Sequence, residues 1–274
     1  MDKPTVCAIM LTADRPEYAR RAVECFRRQT YPDKRLLILD AGMECEPGLE
    51  AEDDGVYWVP FSAAARWSMI GELRNAANAF WTEFPILIHW DDDDYSHPNR
   101  IAEQVALLQS SGADAVGYNE MLFWREDRQL SQADVYGREN VIGYCDPDGP
   151  CDVLEGESWL YTGSILGTSL CYWRKTWERV PFRSQRLNPR HDPGVGEDHD
   201  FLLDLHAAGL KSVGVTAMER RYHGGRPVGT MPSMIGRIHA GNTSKAYDPA
   251  QMAAHPRHWK RVPEWDGYAR SVME

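Results

Sequence analysis

Four consecutive carboxylates, Asp91, Asp92, Asp93 and Asp94, follow the apolar run Ile86-Leu87-Ile88. A short aliphatic run bounded by polar residues reads as a buried strand, and open α/β sheets collect ligands at the carboxyl ends of their strands. Charges this dense repel one another unless a cation sits among them. Hard divalent cations take carboxylate oxygens, and Mg²⁺ or Mn²⁺ draws on one or two such side chains plus phosphate oxygens. A solvated acidic turn, or carboxylates capping the helix expected after Pro98, would produce the same string. A second acidic pair, Glu197-Asp198, follows the loop Pro193-Gly194-Val195-Gly196 and opens the helical stretch FLLDLHAAGL. The helix dipole alone favours acids there, but glycines let a ligand approach closely, which suits a carboxylate that moves a proton. Arg74 is the cation best placed ahead of the aspartates. It could reach a phosphate or a base, or pair with Glu72 or the aspartates themselves.

The apolar pattern supplies the elements that must carry these groups. Residues 6–12 read as a strand ending in Thr12-Ala13-Asp14-Arg15-Pro16. From Pro16 a helix follows, with Tyr18, Ala22, Val23 and Phe26 at helical spacing. Residues 35–42 form a second strand closing on Asp40 and Gly42. This β-α-β opening, with a near-continuous apolar second strand, predicts a parallel sheet. The first strand-to-helix turn lacks the GxGxxG of dinucleotide folds. Asp40 could accept from a ribose hydroxyl or a base N–H, although a lone acid at such a place is more often a turn residue. A strand at 55–60, a helix at 68–78, a helix at 98–110 and a strand at 113–118 complete the first half. Beyond Asn119 the pieces 121–125 and 132–136 read as separate strands, followed by a turn-rich stretch to Tyr161. WRKTWERV reads as a short helix and 211–216 as a strand. The tail, with Trp259 and Trp265, reads as a peripheral cover. The division expected is 1–120, 121–240 and a tail at 241–274.

The totals exclude some classes. With 274 residues the chain can bury a sizeable core, and 43% hydrophobic and 26% charged residues are ordinary for a globular protein. A net charge of −11 disfavours non-specific nucleic-acid binding. There is no run of about 18 apolar residues and no basic leader, so no membrane span and a cytoplasmic location are expected. The six cysteines are scattered without a CxxC pair. Cys145 and Cys151 flank a DPDGP turn, but reduced thiols are the expectation. Among ten tryptophans, Trp124, Trp159, Trp173 and Trp177 could form a platform for a saccharide, with core packing the default for each.

Six motifs in this order resemble the family 2 glycosyltransferases of the GT-A fold, over Val6 to about Gly225. They are Thr12-Ala13-Asp14-Arg15-Pro16, then Gln29-Thr30-Tyr31-Pro32, then Asp40-Ala41-Gly42. The Gly-x-x-Arg-Asn-x-Ala helix from Gly71 to Ala77, Asp91 to Asp94 with Pro98, and Glu197-Asp198 with Gly209 complete the set. The resemblance implies one Rossmann-like α/β/α sandwich with a mostly parallel central sheet and a smaller acceptor-side subregion. Residues 1–120 would bind the nucleotide-sugar, and 121–240 the acceptor. Asp40 and the turn from Thr12 through Ala13 and Asp14 to Arg15 would hold the nucleotide, with Arg74, Asn75, Asp91 and Asp92 beside it. Asp93 and Asp91 would serve the Mn²⁺ or Mg²⁺ site. Asp198, with Glu197 beside it, would supply the catalytic base. A late histidine near the metal or diphosphate would be His223, by its distance from Asp198, or His239, by its His-x-Gly-Asn-Thr setting. Asp14 stands where the family has Asn, and Ala41 where an Asp often follows, and both bear on the choice of nucleotide.

The implied activity is a metal-dependent, inverting transfer from a nucleoside-diphosphate sugar, a UDP-sugar first, to a hydroxyl of a glycan or glycoconjugate. A modified nucleobase in DNA as acceptor is disfavoured by the acidic balance. A sugar nucleotidyltransferase would need a glycine-rich loop after the first strand, and Thr12 to Arg15 holds no glycine. A metal-dependent nucleotide-sugar hydrolase would share the acids without needing an acceptor. A non-catalytic carbohydrate-binding relative would be expected to lack the metal motif or the base.

Overall fold

The computed structural model describes residues 3–42, 55–61, 70–125, 157–162, 164–184, 196–218, 222–223, 226–227, 232–239 and 259–274. β1 (Val6–Thr12) leads through α1 (Pro16–Arg27) to β2 (Lys34–Asp40) and β3 (Val56–Pro60). α2 (Ile70–Phe80), β4 (Ile86–His89), β5 (Tyr95–Ser96) and α3 (Arg100–Ser111) follow, then the long β6 (Ala115–Arg125). Next come β7 (Glu157–Thr162), β8 (Cys171–Trp173), α4 (Arg174–Arg179), α5 (Glu197–Ala207) and β9 (Ser212–Thr216). The chain continues with β10 (Tyr222–His223), β11 (Arg226–Pro227), β12 (Met234–Ile238), β13 (Trp259–Arg261) and α6 (Asp266–Met273).

The sheet is organised by its alternation. Successive strand residues point to opposite faces, so a strand covered on both sides must be apolar throughout. In β1, Val6, Ala8 and Met10 join Leu36 and Ile38 of β2 against Ala22, Val23 and Phe26 of α1 and Ile101, Val105 and Leu108 of α3. Cys7 and Ile9 join Leu37 and Leu39 on the other face, against Ala77 of α2 and Phe201 and Leu205 of α5. The result is a three-layer α/β/α sandwich. β3, β2, β1 and β4 lie side by side and parallel, with Thr12 level with Asp40 and Ile9 level with His89. The β4 edge is continued by the antiparallel β8, which leads to β6.

Two expectations change. Ala113 to Tyr118 and Met121 to Arg125 are pieces of one strand, β6, whose irregularity between Tyr118 and Glu120 against β9 reads in sequence as a break. Residue 120, where the texture of the sequence changes, lies inside this strand. The tail is also more than a cover: β13 pairs antiparallel with β7, and Ala269 and Met273 of α6 pack with Leu122, Trp124 and Ile235. Cys7, Cys25 and Cys171 are buried thiols without a disulfide. Among the described residues no helix is long and apolar enough to cross a membrane. The strand expected at 132–136, the turn with Cys145 and Cys151, the loop at 193–195 and the stretch 241–258 lie outside the described residues.

Candidate active site

β1 and β2 end level with one another, β4 stops beside them level with Ile9, and the loops that leave these strands build the site. The turn after β4 holds each of its four acids on a partner from another element, with Arg15 shared by Asp92 and Asp93. Asp91 Oδ1 accepts from Arg74 of α2 at 3.0 Å. Asp92, only 1% exposed in its side chain, accepts from Thr12 Oγ1 at 2.7 Å and pairs with Arg15 at 2.9 Å. Asp93 Oδ2 takes Arg15 at 3.2 Å and lies 3.1 Å from His239 Nε2. Asp94 accepts from Thr168 Oγ1 and from the backbone N–H of Arg237 at 2.9 Å. Arg237 also donates to the Asp93 carbonyl at 3.1 Å and lies over the Tyr18 ring, which itself packs against His239.

The electrostatics follow from burial and neighbours. Burial opposes ionisation of Asp91, but the charge and hydrogen bond of Arg74 outweigh it and hold its pKa below the usual range. Burial, with Asp93 and Asp91 nearby, pushes Asp92 up to about 7 against the pull of Arg15. Burial and the same neighbours push Asp94 well above the ordinary carboxylate range.

Across the site, α5 begins at Gly196, whose φ of 95° is a conformation glycine adopts without strain. Glu197 Oε1 lies 3.9 Å from Arg74 Nε, and burial together with Asp198 pushes its pKa up to about 7. Arg74 is 5% exposed, and its Nε and one terminal nitrogen have no hydrogen-bond partner among the described residues. Such a buried, unsatisfied donor pair costs stability unless an anion completes it.

The Asp198 carboxylate lies flush against Gly167. A methyl group on Gly167 would come within 2.0 Å of Asp198 Oδ2 and 2.4 Å of its Cβ. Gly167 is in turn held by the fully buried His89, whose Nδ1–H donates to the Gly167 carbonyl at 2.8 Å. Burial and Arg74 depress the His89 pKa well below the ordinary value, so this imidazole is neutral.

The residues expected on the nucleotide side are also placed. Asp40 is 5% exposed and accepts from the Gly42 N–H at 2.8 Å and Trp58 Nε1 at 3.2 Å. Ala13 and Asp14 form the turn after β1, and Asp14, with φ of 55°, is the one non-glycine residue of positive φ among those described. Left-handed backbone in a non-glycine residue is uncommon and collects at functional turns. Gly42 lets the two loops meet, since a methyl group there would lie 2.9 Å from the Asp14 nitrogen.

The structure therefore gathers Thr12, Arg15, Asp92, Asp93 and His239 into one contact set, and Arg74, Asp91 and Glu197 into another. Asn75 lies elsewhere: its amide donates to the Phe182 carbonyl at 2.7 Å and accepts from Phe182 N at 3.0 Å and Trp177 Nε1 at 2.8 Å. His223 pairs through its backbone in the β10–β11 ribbon, and its side chain lies outside the described residues. Trp124 packs into a buried hydrophobic cluster, and Trp177 and Trp173 pack partly buried against two others. The Trp159 side chain is outside the described residues. Sequence reasoning passed over His89, Gly167, Thr168 and Arg237, none of which carries a local motif.

The donor types suit a hard cation: Asp91 and Asp93 offer oxygens and His239 an imidazole. Among the described residues no group of three or more His, Cys, Asp or Glu side chains is disposed to hold a metal ion by itself.

No family model matches the sequence, and no curated protein does. Solved structures do. S. aureus TarS 1-349 in complex with UDP-GlcNAc aligns with TM-score 0.55 and 11% identity, over 98% of this chain and 70% of that one. The same protein with UDP aligns with TM-score 0.53 and 10% identity, over 85% of this chain and 60% of that one. The mannosyltransferase PcManGT from Pyrobaculum calidifontis, in complex with GDP-Man and Mn²⁺, aligns with TM-score 0.50 and 12% identity, over 99% and 70%. The chain thus spans about 60% of the TarS–UDP structure and less of longer TarS chains. At this identity the likeness speaks to architecture, and the architecture is a GT-A-type fold.

Proposed function

We propose that the chain is a family 2 glycosyltransferase that moves a sugar, with inversion, from a nucleoside-diphosphate sugar to a hydroxyl of a glycan or glycoconjugate. The observation that carries this reading is Arg74. It is a buried cation with two nitrogens that have no hydrogen-bond partner among the described residues, lying between Asp91 of the acidic turn and Glu197 beside Asp198. A receptor for an anion stands there between the two acidic elements. The architecture supports the same reading, and the UDP-GlcNAc and GDP-Man carried by the aligned structures make nucleoside-diphosphate sugars the first donors to test.

In this mechanism Asp40 and the turn from Thr12 to Asp14 receive the nucleoside. Asp93 and His239, 3.1 Å apart, would hold the divalent cation, Mn²⁺ or Mg²⁺, with Asp91 on the same turn and the remaining ligands drawn from phosphate oxygens and water. When bound, that ion neutralises the charge that grows on the leaving diphosphate. Arg74 would meet the donor's diphosphate through nitrogens that have no hydrogen-bond partner among the described residues. Asp198, held against Gly167, takes the proton from the acceptor hydroxyl as that oxygen attacks the anomeric carbon. One displacement inverts the configuration, and the proton ends on the Asp198 carboxylate.

The test is calorimetric titration of the metal-stripped protein with UDP, GDP and dTDP, with and without Mn²⁺, repeated on Asp93→Ala. Metal-dependent binding of one nucleotide, lost in the variant, is the expected result. If no nucleotide binds under any metal condition, the reading fails and a metal-dependent hydrolase acting on other esters takes its place.

A further inference from the structure

Asp93 Oδ2 is a crowded atom. Arg15 approaches it at 3.2 Å and His239 Nε2 at 3.1 Å, so the lone pairs of one oxygen already serve two partners. An ion that coordinates Asp93 through this oxygen must displace one of them. The two differ in what they can become. A neutral imidazole can turn its nitrogen to the ion and remain in place as a ligand, whereas a guanidinium keeps its charge and has no lone pair to offer. Arg15 is therefore the partner that has to leave. Its position lets it do so without abandoning the turn. Its second prong stays on Asp92 at 2.9 Å, and its side chain is 26% exposed, which leaves room for the first prong to swing out.

We propose that Arg15 is a resident counter-cation of the acidic turn, which competes with the divalent ion for Asp93 and so sets how tightly the metal binds. The proposal rests on the metal-dependent reading above and goes beyond it by naming what the ion displaces. It also accounts for how the turn carries its acids when no ion is bound: Arg74 compensates Asp91, Arg15 compensates Asp92 and Asp93, and Asp94 is held by Thr168 and the Arg237 N–H.

The experiment measures Mn²⁺ binding to the full chain, by the electron paramagnetic resonance of free Mn²⁺ and by calorimetry, with and without UDP. Wild type is compared with Arg15→Gln and Arg15→Lys. Removing a charge about 3 Å from the coordinating oxygen should tighten Mn²⁺ binding about tenfold or more in Arg15→Gln. Arg15→Lys keeps the charge but loses the two-pronged reach, and should bind a few-fold tighter than wild type. This variant also carries the test if the glutamine variant does not fold. Equal or weaker Mn²⁺ affinity in the variants, with wild type binding the ion, overturns the role of Arg15 and leaves the metal-dependent reading intact. If wild type binds no Mn²⁺ at all while UDP still binds, the metal reading falls and this proposal with it, but the donor site stands.

Discussion

Replacing Gly167 with alanine tests whether Asp198 is the working base and whether its position is built by its neighbour. The added methyl group would meet Asp198 Oδ2 at 2.0 Å, Cγ at 2.5 Å and Cβ at 2.4 Å. Because Cβ is one of the clashing atoms, rotating the carboxylate does not relieve the contact. The first turn of α5 has to retreat by about an ångström to restore ordinary van der Waals spacing. Misplacing a reacting group by about 1 Å costs on the order of 100-fold in rate, while overpacking of this kind costs about 1–3 kcal/mol of stability. Turnover, read as release of nucleoside diphosphate from the donor, should therefore fall about 100-fold. Nucleotide affinity by calorimetry should hold, because Asp40 and the Thr12 turn are on the other side of the site. A Gly167→Ala protein that turns over at the wild-type rate would refute the reasoning: either Asp198 does not take the proton, or its position does not matter.

Other perturbations read other parts of the same argument. Glu197 binds its proton more tightly folded than unfolded, since its pKa rises from 4.5 to about 7. Its contribution to stability is whole below about pH 4.5, declines as pH rises and is lost above about 7. Melting curves from pH 4.5 to 8 should show Glu197→Gln gaining on wild type as pH rises, and a constant difference would contradict the assignment. Asn75→Ala removes a side chain that satisfies both backbone groups of Phe182 and the Trp177 indole. Leaving these groups unpaired should cost about 2–4 kcal/mol in denaturant unfolding. The same change should leave nucleotide affinity near wild type, and an equal loss of affinity would put Asn75 back beside the donor.

Much of the framework was legible because it is written locally. The two-faced apolar strands, the helix opening at Pro16 and the glycine stop at Gly209 each announce themselves within a few residues. The acids of the turn were legible as a cluster but not in their roles. Nothing in Asp91-Asp92-Asp93-Asp94 says that Asp92 turns back to Thr12 and Asp94 to Thr168, contacts separated by 80 and 74 residues. Gly167 was invisible for the same reason, since its glycine is required by a side chain from another element. Asn75 shows a different limit. Its motif suggested the nucleotide, and tertiary contacts spend its amide on bracing the segment after α4. The bulge in β6 was misread as an end because a local irregularity and a strand boundary look alike along one chain.

The way Arg237 ties the acidic turn to the end of α6 bears on the order in which the molecule can be made. Arg237 donates to the Asp93 carbonyl and, with Arg21 of α1, to the Met273 carbonyl. Asp94 and Asp93 likewise wait for Arg237 and His239. On a ribosome the β3-β2-β1-β4 half has all its strands once the first 90 or so residues have emerged, since domains fold as units from the N-terminus. Its acidic turn then stays unfinished through about 150 further residues of synthesis, because contacts this distant in sequence are the last to close. A nascent chain halted between these points should carry a nearly complete nucleotide-side sheet with aspartates that lack half their partners.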